Sequence, residues 1–454
     1  MPLTSLNPAT GEVVKSFSAW NSNQLQTALE NTGTAQAQWR STPLERRAAI
    51  LRQGAAELRR GADEYAALIT MEMGKPIREA RAEVEKCALA CDYYALNGSH
   101  FLQDEPVESD AGKSYVAFEP LGVVLAVMPW NFPFWQVFRA AVPALMAGNG
   151  VALKHASGVP QCALAIERIF RASGLPERVF TTLLIEAGQV AEAVAAEPVR
   201  AVTLTGSEAA GRAVAELAGR NLKKCVLELG GSDAFVVLGD ADLELAVAGA
   251  LASRFLNAGQ SCIAAKRLIL APEIADDFVR LLASRIEALR VGDPMSESTQ
   301  VGPLARRDLR DELHRQVTDS IERGARPLLG CRPLEGVGAY YQPSLLDHVT
   351  PQSSAWREEL FGPVAAVMRA ANEEEALRLA NDTRFGLGGS VWSRDTRRAE
   401  RLSRQIQAGC CFVNGMVKSD PRLPFGGVKA SGYGRELSYH GIREFTNAKT
   451  VWVR

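Results

Sequence analysis

Several features are scarce in this sequence, and each scarcity excludes a class of protein. Neither sign of charge is in excess: 51 basic side chains stand against 52 acidic ones, a formal net charge of -1. Nucleic-acid recognition needs a concentrated basic face, and a chain balanced in this way carries no such footprint. The N-terminal stretch MPLTSLNPATGEVVKSFSAW has no basic start followed by an apolar core, so no secretory signal is read there. The most apolar run, 121–128, is stopped by Pro129 and falls far short of the roughly 20 residues that cross a bilayer. The eight cysteines, at 87, 91, 162, 225, 262, 331, 410 and 411, follow no paired framework of the secreted type. The five histidines, at 100, 155, 314, 348 and 440, form no HExxH pair, and Cys87 with Cys91 at helical spacing read as core. A cytoplasmic protein with reduced thiols is expected, with no metal site, no membrane contact and no nucleic-acid partner. Internal repeats, low-complexity segments, Gly/Ser linkers and the G-x-G-x-x-G dinucleotide fingerprint are all missing too.

What is present has globular character. Hydrophobic residues make up 47% of the chain and charged ones 23%, which is not the composition of a disordered protein. A length of 454 residues exceeds one small core, so two or more domains are expected. Apolar residues recurring at three and four positions predict helices over 24–40, 44–73 and 77–97. From 121 the texture changes to strand-like runs at 122–128, 150–154, 181–185, 201–205 and 225–229, separated by amphipathic stretches such as 159–172 and 208–219. A second series follows, with strands at 234–238, 267–271, 363–368 and 411–414 and helices at 242–256, 274–289 and 395–407. This alternation predicts an α/β fold whose parallel sheets are covered by helices on both faces.

Four constellations carry possible chemistry. Asn257-Ala-Gly-Gln-Ser-Cys262 presents a cysteine after a flexible turn, the partial exposure a thiolate nucleophile needs; a lone cysteine is otherwise a small hydrophobe. Glu228 ends an apolar strand before Gly230 and Gly231, where desolvation would raise its pKa into a general base's range; a buried ion pair or a turn cap is the alternative. Asn131, fixed within Pro129-Trp-Asn-Phe-Pro133 at a strand end, could donate its amide to an oxyanion or merely form a turn. Lys154 and Ser157 follow one strand, and Thr205-Gly206-Ser207 ends another and opens a helix, a geometry that holds phosphate against free N–H groups or simply caps the helix.

Together the motifs resemble the aldehyde dehydrogenase superfamily. PWNFP at 129–133, LTGS at 204–207, ELGG at 228–231, NAGQSC at 257–262, EELFGPV at 358–364 and LPFGGVKASGYGRE at 423–436 stand in its order and spacing along essentially the whole chain. The resemblance implies a Rossmann-like cofactor domain over 1–103 and 121–229 and an α/β catalytic domain over 230–418. It also implies a small β oligomerisation arm from 104–120 and 419–454, and with it a homodimer or homotetramer. That cofactor domain does without the glycine fingerprint. By the same resemblance Cys262 attacks an aldehyde, Asn131 and the Cys262 N–H hold the oxyanion, and Glu228 activates the water that hydrolyses the thioester. Trp130, Lys154, Ser157, Thr205, Gly206, Ser207, Leu229, Glu359 and Phe361 match cofactor-binding positions.

Position 157 bears on the coenzyme. NAD-selective relatives often carry a glutamate there, which repels a 2′-phosphate; Ser157 beside Lys154 would welcome one, so NADP is expected to be preferred, with NAD as the second coenzyme. Within the superfamily, KHAS at 154–157, LKKCVLELGGSD at 222–233 and FGGVKASGYGRELSYHGIREF at 425–445 resemble short bacterial enzymes that oxidise succinate semialdehyde. Arg139 and Ser419 then match contacts to the substrate carboxylate, with a surface or interdomain salt bridge as the alternative for Arg139. Longer relatives carry a further arginine where this chain has Leu256, so glutarate semialdehyde or uncharged aliphatic aldehydes stay open as substrates. A catalytically silent member of the superfamily would lack part of the set Cys262, Glu228 and Asn131, which is complete here. Cys410 and Cys411, adjacent on the substrate side, read as packed thiols or as a redox-sensitive pair.

Overall fold

Two helix-covered sheets in series organise the chain. The computed structural model describes residues 3–454. The first sheet runs Gly432–Tyr433, Lys224–Glu228, Val199–Thr205, Val123–Met128, Gly150–His155, Phe180–Thr182, and all neighbours are parallel except the first pair. Its strands are apolar on both faces because both faces are covered. Val124, Ala126 and Met128 pack into one core, against helices that include Leu44–Arg60 and Ile77–Phe101, while Val123 and Leu125 pack into another on the opposite side.

The second sheet has seven strands in the order Arg326–Leu329, Ser344–Asp347, Val364–Arg369, Ala265–Leu270, Asp233–Val237, Gly388–Trp392, Cys410–Val413. Only Arg326–Leu329 is antiparallel to its neighbour. The same alternation holds, with Ala234 and Val236 facing one core and Phe235 and Val237 the other. The α/β class and the parallel sheets are as the alternation predicts.

Three details differ from the sequence expectation. The helix expected over 44–73 is two, Leu44–Arg60 and Ala62–Met73, broken at Gly61, whose lack of a side chain makes it a poor helix former. Gly388–Trp392 is a central strand although it opens on two glycines; a side chain at Gly388 would lie 2.4 Å from the Asp233 carboxylate, which accepts the Gly388 N–H at 3.0 Å. The segment 419–454 divides. Gly432–Tyr433 joins the first sheet, Ser438–Glu444 packs on the helices Ile77–Phe101 and Trp135–Met146, and only Thr446–Val453 pairs with Lys113–Pro120 in the three-stranded outer sheet. The reason is that Gly432–Tyr433 hydrogen-bonds along Leu227 and Glu228, the end of the first lobe's last parallel strand.

Candidate active site

Strand ends of the first sheet converge on one cavity. Val123–Met128 delivers Trp130 and Asn131, Val199–Thr205 delivers Thr205, Gly206 and Ser207, and Lys224–Glu228 delivers Glu228 and Leu229; Cys262, Glu359 and Phe361 complete the wall of a space of about 390 Å³. Strand order reverses beside Val123–Met128, so the cavity lies at the topological switch point, where open α/β sheets bind ligands. A second space of about 320 Å³, lined by Lys154 and Ser157, shares Trp130, Thr205, Gly206 and Arg306 with the first, so the two form one groove.

Cys262 stands on a constrained loop. Asn257, Ala258 and Gly259 are consecutively left-handed, with φ of 55°, 51° and 75°, an arrangement that only surrounding contacts can maintain. Asn257 supplies several: its N–H donates to Glu79 at 2.7 Å, and its amide donates to the carbonyls of Asn131 at 2.8 Å and Gln260 at 3.1 Å. At Gly259 a Cβ would lie 2.2 Å from the Gly362 carbonyl oxygen. On the far side Lys266, 1% exposed, donates to the carbonyls of Ser261 at 2.8 Å and Cys262 at 2.7 Å. Both carbonyls are thereby turned away, and the Cys262 N–H has no hydrogen-bond partner among the described residues. Asn131, 4% exposed, spends one amide hydrogen on the Gln260 carbonyl at 3.1 Å and keeps the other. Two donors beside one sulfur are the parts of an oxyanion hole.

The charges around the thiol are buried and balanced. Glu228 is 2% exposed and neither of its carboxylate oxygens has a hydrogen-bond partner among the described residues. Burial, then the neighbouring Glu436 carboxylate, push it well above the ordinary carboxylate range, and Arg139 pulls the other way. Burial likewise pushes the Cys262 thiol up to about 11, against the cations of Arg139 and Lys266. Burial thus disfavours the charged form of both groups. A carboxylate raised in this way accepts a proton more readily than an ordinary one, as a general base requires.

Arg139 corrects one expectation. Its guanidinium, expected to hold a substrate carboxylate, is 1% exposed, ion-paired with Glu436, bonded to Thr205 Oγ1 at 3.2 Å and stacked over the Phe425 ring at 4.8 Å. It is not among the residues that line the cavity, because its charge is taken up by the buried Glu436, which would otherwise have no counter-charge. Ser419 also lies off the cavity wall, 5% exposed, accepting hydrogen bonds from Lys86 and Trp135.

The groove fits a dinucleotide. Ser207 caps the 13-residue helix Glu208–Arg220, whose N-terminus faces the groove beside Gly206. Lys154 is 7% exposed, has no carboxylate or hydrogen-bond partner among the described residues, and burial lowers its pKa. A buried cation with no counter-charge is a site that awaits an anion. Glu359 bonds the Gly231 N–H at 3.1 Å and pairs with Lys266 at 3.2 Å, closing over Gly230, where a Cβ would lie 2.3 Å from it. Phe361 meets Trp130 edge to face at 5.8 Å.

Sequence reasoning missed Lys266 and Glu436. Two adjacent cations, Lys266 and Arg267, inside a buried apolar strand were the available signal, since such charges must be satisfied by something specific. Glu436 gave none, because its partner Arg139 is remote in sequence. Burial raises Cys410 and pushes Cys411 to about 12, the behaviour of packed thiols. Among the described residues no group of three or more His, Cys, Asp or Glu side chains could hold a metal, and no helix is long and apolar enough to cross a membrane.

A half-buried thiol with two free donors, a partnerless acid in the same cavity and a groove for a dinucleotide define a class: enzymes that oxidise a carbonyl through a cysteine adduct. A sequence profile of the Aldehyde dehydrogenase family matches residues 2–451, and the chain belongs to that family. It is 50% identical over 453 residues to a probable succinate-semialdehyde dehydrogenase [NADP(+)] of Synechocystis sp., covering 100% of both chains. It is 47% identical to a succinate semialdehyde dehydrogenase [NAD(P)+] of Escherichia coli, over 99% of this chain and 97% of that one. Its fold superposes on the crystal structure of succinic semialdehyde dehydrogenase from Streptococcus pyogenes in complex with NADP+, with TM-score 0.97, 38% identity and 99% of each chain covered.

Proposed function

We propose that this protein oxidises succinate semialdehyde to succinate, with NADP+ as preferred coenzyme and NAD+ as the second. The observation that carries the reading is the Cys262 thiol between two free donors, the Asn131 amide and its own N–H, with partnerless Glu228 beside it. Names of relatives at 47% and 50% identity over nearly the full length support the substrate and the coenzyme.

The residues divide the work as follows. The Cys262 thiol gives its proton to solvent, with ionised Glu228 able to relay it, and the sulfur forms a bond to the aldehyde carbon while the carbonyl π pair moves to oxygen, where Asn131 and the Cys262 N–H hold it. NADP+, when bound, supplies the hydride acceptor; Lys154 and Ser157 would meet its 2′-phosphate, Ser207 its pyrophosphate and Glu359 its nicotinamide ribose. Glu228 then removes a proton from water as it adds to the Cys262 thioester, and the C–S bond breaks to release the carboxylate and regenerate the sulfur. The eight cysteines are all free, which supports a reducing, cytoplasmic setting. Among the described residues strand Thr446–Val453 has a partner on one edge alone, which supports assembly into a homodimer or homotetramer through that outer sheet.

Steady-state kinetics with succinate semialdehyde and butanal, each with NADP+ and NAD+, test the reading. Higher kcat/KM for succinate semialdehyde and for NADP+ is expected; equal efficiency on the two aldehydes refutes the substrate. The engagement of Arg139 by Glu436 favours one second reading, a broader aliphatic aldehyde range, which equal efficiencies would support.

A further inference from the structure

The strand Ala265–Leu270 carries two adjacent buried cations, and its alternation sends them to opposite faces. Arg267 spends its guanidinium on the carbonyls of Ser232, Leu379 and Ala380, at 2.9, 2.7 and 2.8 Å, and so ties the strand to the helix Glu373–Asn381. Lys266 turns to the active-site side. Its three protons all have acceptors: the Ser261 carbonyl at 2.8 Å, the Cys262 carbonyl at 2.7 Å and Glu359 Oε1 at 3.2 Å.

The third acceptor sets Lys266 apart from a simple tether. Glu359 meets both Lys266 and the Gly231 N–H with the one oxygen Oε1, and its side chain, 22% exposed, lines the cavity that holds Cys262. Its Oε2 has no hydrogen-bond partner among the described residues, so contacts run from the cavity wall through an ammonium to the backbone of the thiol. The other ionisable groups around the thiol are engaged elsewhere or disfavoured as ions. Arg139 is taken by Glu436, and Arg306 on the cavity wall pairs with Asp308 at 2.9 Å. Asp233 accepts the Gly388 N–H and is raised by burial to about 7, and burial also raises Glu228 and Cys410. Of the two cations that favour the thiolate, Arg139 and Lys266, only Lys266 is bonded to the Cys262 backbone, and the charge of Glu359 opposes them.

We propose that Lys266 is a positioning residue for Cys262: it fixes the two carbonyls of the loop and places a positive charge at the nucleophile's backbone, and Glu359 partly neutralises that charge from the cavity side. This assignment rests on the reading of Cys262 as nucleophile given above. It explains why a charged residue occupies a strand position where an apolar one would pack at no desolvation cost. A group that engages Glu359 from the cavity is thereby felt at the sulfur.

The test is the rate at which iodoacetamide alkylates Cys262, followed by peptide mapping across a pH series in wild type, Lys266→Met, Lys266→Gln and Glu359→Gln. Only the thiolate reacts, so a thiol pKa higher by about 1 slows alkylation about tenfold at every pH below it. Loss of the cation in Lys266→Met and Lys266→Gln is expected to slow the reaction by about 10- to 100-fold, and loss of the anion in Glu359→Gln to speed it by about 3- to 10-fold. These opposite signs are what a purely structural role of the pair does not produce. Lys266→Gln keeps a donor for one carbonyl and loses the charge, so it decides the matter if the methionine variant fails to fold. A rate in Lys266→Gln equal to wild type, or a rate in Glu359→Gln at or below wild type, overturns the role of Lys266 and leaves Cys262 as nucleophile. Complete alkylation of Cys262 with dehydrogenation intact overturns the nucleophile, and the role of Lys266 with it.

Discussion

Buried chemistry at single residues gives the sharpest expectations. Glu228 holds its proton more tightly folded than unfolded, so the stability that proton confers is complete below its ordinary value of 4.5 and is lost as pH rises towards the group's raised folded value. Glu228→Gln should therefore gain thermal stability over wild type as the buffer goes from about pH 5 to about pH 9, while losing acid release; a gap in Tm that does not widen contradicts this. Because Cys262 and Glu228 both titrate high, kcat/KM should climb from neutral to alkaline pH in wild type. Asn131→Ala should lower kcat by about 100- to 1,000-fold with native circular dichroism. Arg139→Met should destabilise the fold by about 3–5 kcal/mol, because it leaves Glu436 buried and unpaired; a KM effect with unchanged stability would restore Arg139 as a substrate anchor. Cys262, Glu228 and Asn131 were legible because each stands in a local motif at a strand or helix end. The fate of Arg139 was not, since it depends on Glu436 arriving from nearly the far end of the chain.

Among elements, the turn 257–259 and the strand Ala265–Leu270 act as a unit that aims Cys262. Gly259→Ala places a methyl at φ 75° against the Gly362 carbonyl, and a loss of stability of at least about 1–3 kcal/mol is expected by thermal or chemical denaturation, with activity falling with it. An unperturbed Tm would show that the loop tolerates another path. The long parallel strands were legible from their apolar runs. Gly388–Trp392 was not, because Gly388 answers to Asp233 and two glycines carry no strand signal, and Arg326–Leu329 was not, because its exposed residues give no core pattern. Gly432–Tyr433 is too short to show periodicity at all; its place is set by the edge of Lys224–Glu228 it covers.

For the whole molecule, alternation of strand and helix was enough to foresee two parallel lobes, since a sheet buried on both faces forces that pattern. The division of 419–454 between a lobe and the outer sheet was invisible, because pairing partners across hundreds of residues leave no local trace. In that sheet Trp452 and Val453 are 50% and 47% exposed. Removal of 446–454 should shift the sedimenting species to a monomer, and an unchanged oligomer would locate the interface elsewhere. Whether Cys262 carries the acyl group and Glu228 releases it is read by mixing Glu228→Gln with NADP+ and succinate semialdehyde, quenching rapidly, and mapping the peptides by mass spectrometry. A burst of NADPH equal to the active sites and a succinyl thioester on Cys262 are expected; a burst with no acyl group on Cys262, or undiminished turnover without a burst, rules these roles out.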